Sequence, residues 1–121
     1  MRILAIALMG TAGVLARYGL YLWIPKVLAP PFPYPTLIIN GVGAFLIGLL
    51  FGWDGGRWVI SDGLRLGLGV GFLGGFTTFS SFCLETVRLV EMGQTGLAVS
   101  YAVLSNVLGM AACFGGIALS K

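Results

Sequence analysis

One stretch of this sequence gathers most of the groups that could handle a small ion: Gly74-Gly75-Phe76-Thr77-Thr78-Phe79-Ser80-Ser81-Phe82. Thr78, Ser80 and Ser81 supply hydroxyl donors, although such side chains inside apolar helices often bond back to their own backbone. Phe79 and Phe82 are three apart and share a face if the segment is helical. Two roles are open to them. They can be packing, or they can turn the positive edge of the ring quadrupole towards an anion in a site that excludes most water. Asn40 is a second isolated polar group, a primary amide within a long apolar run. It can hydrogen-bond neighbouring helices together, or it can replace the water around a small anion without a charge that would trap it.

Other polar residues are few. Glu85 and Arg88 are three apart and placed to pair with each other, with Glu85 one turn beyond Phe82 and able to shape a vestibule. Arg17, beside Tyr18, either snorkels to the headgroups or draws anions to a pore mouth. There is no histidine, hence neither the usual metal ligand nor the near-neutral proton switch. Cys83 and Cys113 both fall in apolar runs and read as small packing residues rather than a disulfide. With four carboxylates in all, two of them around residues 54–62, no base lies near a deep nucleophile, and an enzyme is not expected. The seven Lys and Arg are scattered singly, so no basic patch supports nucleic-acid binding.

The elements that carry these groups are membrane spans. The chain is 58% hydrophobic and 9% charged, with a mean hydropathy of +1.00, whereas soluble domains are about one quarter charged. Four spans are expected, at about 3–24, 34–53, 63–90 and 95–119, in one all-α domain covering 1–121. The N-terminal run could pass for a signal peptide, but its apolar pattern continues past Arg17 to Ile24, which fits a retained helix better. Pro25, Pro30, Pro31, Pro33 and Pro35 make a stiff loop, and Asp54-Gly55-Gly56-Arg57 and Glu91-Met92-Gly93-Gln94 make turns. Gly63, Gly67, Gly71 and Gly75 form a small-residue seam on the third span, and Ala44, Gly48 and Gly52 form another on the second. Tyr101, Ser105 and Gly109 make a stripe on the fourth.

The central stretch lies inside an uncharged run of 19 residues, Leu66 to Leu84, that is about long enough to cross the hydrocarbon core. Its paired glycines and hydroxyl residues predict a third helix broken at mid-membrane. A break at that depth survives only where protein buries it or where it lines a polar cavity. It also presents carbonyls from one half-helix and N–H groups from the other, natural holders of a small ion. Positive charge does not fix an orientation. Arg2, Arg57, Arg65 and Lys121 fall on one side and Arg17, Lys26 and Arg88 on the other, four against three. Two copies inserted in opposite senses would form an inverted pair.

At these residues the sequence resembles the Fluc/CrcB family of fluoride channels across essentially its whole length. The resemblance rests on Gly13-Val14-Leu15-Ala16-Arg17-Tyr18, on Thr36 to Gly43, on the central stretch with Glu85 after it, and on Tyr101 to Gly109. It implies an antiparallel, dual-topology homodimer in the inner (plasma) membrane of a bacterial cell, exporting fluoride passively to relieve its toxicity. It implies a fluoride path lined by Asn40, Phe79 and Phe82, with Thr78, Ser81, Tyr101 and Ser105 close to it. It also implies a structural sodium ion at the dimer interface, held by the backbone carbonyls of Gly74 and Thr77 of each subunit. Ser81 stands where many relatives have threonine, which keeps the hydroxyl. Gly109 stands where a hydroxyl residue of a polar track is expected, which puts that track in doubt. The chemistry is coherent: fluoride is small, strongly hydrated and accepts hydrogen bonds, so its path needs donors in a narrow space. The alternative is a small dual-topology multidrug or proton-coupled exporter. That would need a titrating carboxylate well inside the membrane, and Glu85 lies past the middle of the third span.

Overall fold

Glycine placement decides which helices of this chain can touch. A computed structural model describes residues 1–52 and 60–121. Helix α1 (Arg2–Trp23) runs into a 3₁₀ turn, Ile24–Lys26, whose Pro25 occupies the first turn, where a missing N–H costs no hydrogen bond. Helix α2 spans Tyr34–Phe51, α3 covers residues 62–76, α4 spans Phe79–Glu91 and α5 spans Thr95–Ser120. All regular structure among the described residues is helical, and four runs are long and apolar enough to cross a membrane: Arg2–Lys26, Tyr34–Phe51, Asp62–Glu91 and Thr95–Ser120. Trp53 and the Asp54–Arg57 turn of the sequence analysis lie outside the described residues.

Local chemistry sets the helix ends. Ser61 caps α3 by accepting the Leu64 N–H at 3.3 Å, with Asp62 in the first turn where the helix dipole favours negative charge. Helix α4 closes with Gly93 at φ 74°, a left-handed conformation that glycine adopts at no steric cost. The Gln94 N–H returns to Leu89 C=O at 2.8 Å and the Gly93 N–H to Val90 C=O at 2.9 Å, the paired bonds of a Schellman motif.

The helices pack in two close pairs, α1 along α3 and α2 along α5, with α4 leaning on α5. In the first pair a Cβ at Gly13 would overlap the Phe72 carbonyl, and one at Gly75 would lie 2.5 Å from the Gly10 carbonyl oxygen. In the second, a Cβ at Gly48 would overlap the Cys113 carbonyl and one at Gly116 the Phe45 carbonyl. These are backbone-to-backbone crossings, open only to residues without a side chain. The seam expected on the third span is shorter than its spacing suggests. Gly67, Gly71 and Gly75 meet α1, whereas an added Cβ at Gly63, or at Gly109 on α5, would meet no neighbour among the described residues. Gly13→Val is therefore expected to lower stability by about 3 kcal/mol or more, because no rotamer relieves a clash with backbone. Gly63→Ala should be neutral or slightly stabilising. Thermal unfolding of the purified protein in detergent checks both.

Two features of α3 go beyond a regular helix. Residues Gly67–Leu73 wind as a π-helix between α-helical turns at Asp62–Leu66 and Gly74–Phe76. The helical run then stops: Thr77 (φ −82°, ψ 161°) and Thr78 (φ −153°, ψ 121°) are extended before α4 starts at Phe79. The paired glycines remain helical, and the threonines carry the interruption.

Buried side chains are few and concentrated beyond that interruption. Tyr101, Ile39, Leu89 and Thr36 are the largest fully buried ones, and Phe32, Leu37, Phe82 and Leu97 surround the Leu89–Ala98–Tyr101 cluster. Many large apolar side chains, such as Leu4, Leu15, Phe114 and Leu119, point outwards. That arrangement is costly in water and neutral in lipid, where helix association depends on close packing and hydrogen bonds.

Candidate functional site

The interruption at Thr77–Thr78 is held by side chains from two other helices. Thr78 N–H, which a continuous helix would return to Gly74 C=O, donates instead to Asn40 Oδ1 at 2.8 Å. Asn40 Nδ2 donates to Thr78 C=O at 2.9 Å. The Asn40 amide thus pairs with Thr78 as one strand residue pairs with another, and one of its N–H hydrogens is left over. Arg17 on α1 donates from Nη1 to Thr77 C=O at 3.3 Å. Thr77 itself closes the preceding turn, its N–H and its hydroxyl both reaching Leu73 C=O, at 3.0 and 2.9 Å. Gly43 on α2 lets this segment approach, since a Cβ there would overlap the Thr77 methyl group.

Thr78 is also the N-cap of α4. Its hydroxyl oxygen accepts the Ser81 N–H at 3.2 Å, while its hydrogen goes to Ser81 Oγ at 3.1 Å. Ser80 Oγ lies 3.4 Å from the same hydroxyl. These hydroxyls are partly engaged in starting the helix, the local bonding that competes with any role towards a ligand.

Gly74 and Thr77 lie on the open side of the interruption. Together with Asn40, Gly43, Ala44, Ile47, Gly69, Leu73, Thr78 and Phe79 they line a groove of about 350 Å³. Phe79 stands at its edge and is 76% exposed. From there an aromatic row leads inwards: Phe79 to Phe82 at 5.7 Å between ring centroids, Phe82 to Tyr101 at 5.4 Å, and Tyr101 to Phe32 at 5.5 Å edge-on. The exposed ring and the buried one are thus connected, so Phe82 serves both packing and the approach to the groove.

Behind Phe82 lies a polar chain spanning four helices. Tyr101 OH donates to Glu85 Oε2 at 2.7 Å, and Thr36 Oγ1 donates to Glu85 Oε1 at 2.7 Å. Because the Thr36 hydrogen points to Glu85, Tyr21 OH must be the donor in its 2.6 Å bond to Thr36 Oγ1. Every hydrogen in the chain points towards the carboxylate. This corrects the expected Glu85–Arg88 pair: each Glu85 oxygen holds a hydroxyl, and no ion pair joins it to Arg88. Arg17 is corrected too, since its guanidinium turns inwards to the Thr77 carbonyl instead of simply snorkelling. One turn beyond Tyr101 on α5, Ser105 Oγ is buried with no hydrogen-bond partner among the described residues. Cys83 and Cys113 are free thiols, one exposed and one half-buried.

Tyr21 and Thr36 escaped the sequence reading as functional side chains, and so did the inward course of Arg17. A signal was present. Gly13, Arg17 and Tyr21 recur every four residues, as do Thr36 and Asn40, so each set shares one helix face directed at the third span.

Compared with known proteins, the chain matches the family described as "CrcB-like protein, Camphor Resistance (CrcB)" over residues 4–117. A protein of Geobacter metallireducens called "Fluoride-specific ion channel FluC" is 49% identical over 111 residues, covering 92% of this chain and 89% of the relative. Proteins of the same name from Pseudomonas fluorescens and Agrobacterium fabrum are 47% and 45% identical over 119 residues. Those matches cover 98% and 96% of this chain, and 96% and 95% of the relatives.

Proposed function

This chain belongs to the CrcB-like family, and from that premise we propose that it is a fluoride-specific channel of the bacterial plasma membrane. It is a multi-pass membrane protein and not an enzyme. Fluoride leaves the cell down its electrochemical gradient and the chain lowers the internal concentration without coupling to another ion. A proton-coupled exporter is disfavoured because the one carboxylate of the site, Glu85, already holds two hydroxyl donors.

The observation that carries the path is the buried hydroxyl of Ser105, one turn from Tyr101 on α5 and without a hydrogen-bond partner among the described residues. A buried donor without an acceptor costs about 1–3 kcal/mol, and an anion in transit would supply that acceptor. In this reading fluoride meets the spare Asn40 N–H, passes the ring edges of Phe79 and Phe82, and reaches Tyr101 and Ser105. Thr78 and Ser81 border the route while capping α4. Thr36 and Tyr101 hold the Glu85 charge in a hydrogen-bonded cage, which lessens its repulsion of an anion.

The working unit is an antiparallel homodimer, with the interruption of the third span at mid-membrane. The partner copy covers the groove edged by Gly74, Thr77 and Phe79, and the near-balanced basic residues allow insertion in both senses. A sodium ion at that interface fits the donors. The Gly74 carbonyl loses its helical donor to Asn40, and the Thr77 carbonyl loses its own because Ser81 N–H turns to the Thr78 hydroxyl. Two such carbonyls per subunit suit a monovalent cation, and among the described residues no cluster of His, Cys, Asp or Glu offers a divalent site. The cation would supply positive charge at the centre of the pair.

Expression in a bacterium made fluoride-sensitive by loss of its own exporter tests the function: growth in millimolar fluoride should be restored. C-terminal tags should be accessible from both sides of the membrane. Growth that stays fluoride-sensitive although the protein reaches the membrane contradicts the channel, and tags on one side alone contradict dual topology.

A further inference from the structure

We infer that Arg17 is a fixed positive competitor built into the cation site, setting how tightly sodium is held. This rests on the reading above that the Gly74 and Thr77 carbonyls hold that ion. Three observations place Arg17 there. First, α1 touches the backbone of α3 at Gly13, and Arg17 follows one turn later on the same face. The glycine crossing therefore delivers the side chain to the end of α3. Second, Arg17 Nη1 lies 3.3 Å from the Thr77 carbonyl oxygen. That is long for a charge-assisted bond, which is about 2.7–2.9 Å when strong. Third, the bond has no rival on the protein side, because Ser81 N–H is committed to the Thr78 hydroxyl.

A carbonyl oxygen has two lone pairs. With one turned to the guanidinium, the other remains for a cation, and both positive groups then sit on one oxygen. They would be roughly 6 Å apart or less, close enough to repel through a partly buried site. The arginine guanidinium carries a full positive charge. Arg17 therefore weakens sodium binding at all times and leaves a positive charge beside the interruption when sodium is absent. Asn40, the other side chain that holds this segment, carries no charge and has no such effect.

The test measures sodium binding and not conduction. Thermal unfolding of the purified full-length protein is followed as sodium replaces N-methyl-D-glucamine, since an ion that binds only the folded state raises the midpoint as its concentration passes Kd. Arg17→Gln and Arg17→Met remove the charge, while Arg17→Lys keeps it. Both uncharged variants should reach half-stabilisation at about tenfold lower sodium than the parent, the scale of a like-charge repulsion at this range after screening. Arg17→Lys should stay within about twofold of the parent, because its ammonium restores the repulsion. Equal sodium midpoints in all four proteins overturn the inference, as does weaker binding in the uncharged variants. If both uncharged variants fail to fold in saturating sodium while Arg17→Lys folds, the charge is needed for the fold and the inference also fails. A parent whose stability ignores sodium removes the cation site itself. Equal but finite midpoints remove only the role of Arg17.

Discussion

Replacing Phe79 with isoleucine should lower fluoride flux at least about tenfold, with the protein still folded. The ring is 76% exposed in the single chain and, among the described residues, its one ring contact is to Phe82 at 5.7 Å, so little stability depends on it. Isoleucine keeps much of the apolar volume but has no quadrupole, and so no positive edge to offer an anion. A tenfold loss corresponds to about 1.4 kcal/mol in the barrier, within reach of one lost anion contact in a dry site. Phe82→Ile should reduce flux at least as much, but it is the less clean experiment. Phe82 packs on Tyr101 and on the Leu89–Ala98–Tyr101 cluster, so its replacement also loosens the core. Fluoride flux normalised to folded protein separates the two effects. If Phe79→Ile conducts as the parent does, the aromatic row is packing alone.

Much of this arrangement can be read in the sequence, and the limits are physical. Four helices are legible because a span must be long and apolar whatever it packs against. That the stretch of glycines followed by threonines is unusual for a span is legible as well. What holds it is not. Gly74 and Gly75 stay helical, and the extended residues Thr77 and Thr78 are fixed by Arg17, 60 positions away in sequence, and by Asn40, 38 positions away. Glu85 shows the same limit. Spacing on one helix offers it Arg88, but the fold brings Thr36 and Tyr101 closer. Periodicity reports which residues share a face, and only the tertiary structure reports what that face meets. Gly63 illustrates the converse, a seam position by spacing where an added Cβ would meet no neighbour among the described residues.

Asn40→Asp is the second large effect, expected to abolish measurable flux at neutral pH, a fall of about a hundredfold or more. The carboxylate would keep an acceptor for Thr78 N–H but lose the donor to Thr78 C=O, leaving two oxygens facing each other where a 2.9 Å hydrogen bond stood. An unsatisfied buried carbonyl costs about 1–3 kcal/mol. The new charge acts as well, since an exposed aspartate is ionised at neutral pH and would stand on the route of an anion. Asn40→Ser, which keeps a small neutral hydroxyl, should retain more flux than the aspartate variant. Full conduction by Asn40→Asp would assign Asn40 to helix bonding away from the path.

The central claim is that this chain passes fluoride and refuses the commoner halide. Purified protein is reconstituted into liposomes loaded with potassium fluoride, or with potassium chloride in a parallel set, and potassium permeability is opened with an ionophore. An ion-selective electrode then follows the anion released. Fluoride should leave within seconds, and chloride should stay inside until detergent is added. Equal release of both anions, or retention of fluoride by liposomes that contain folded protein, would contradict the account.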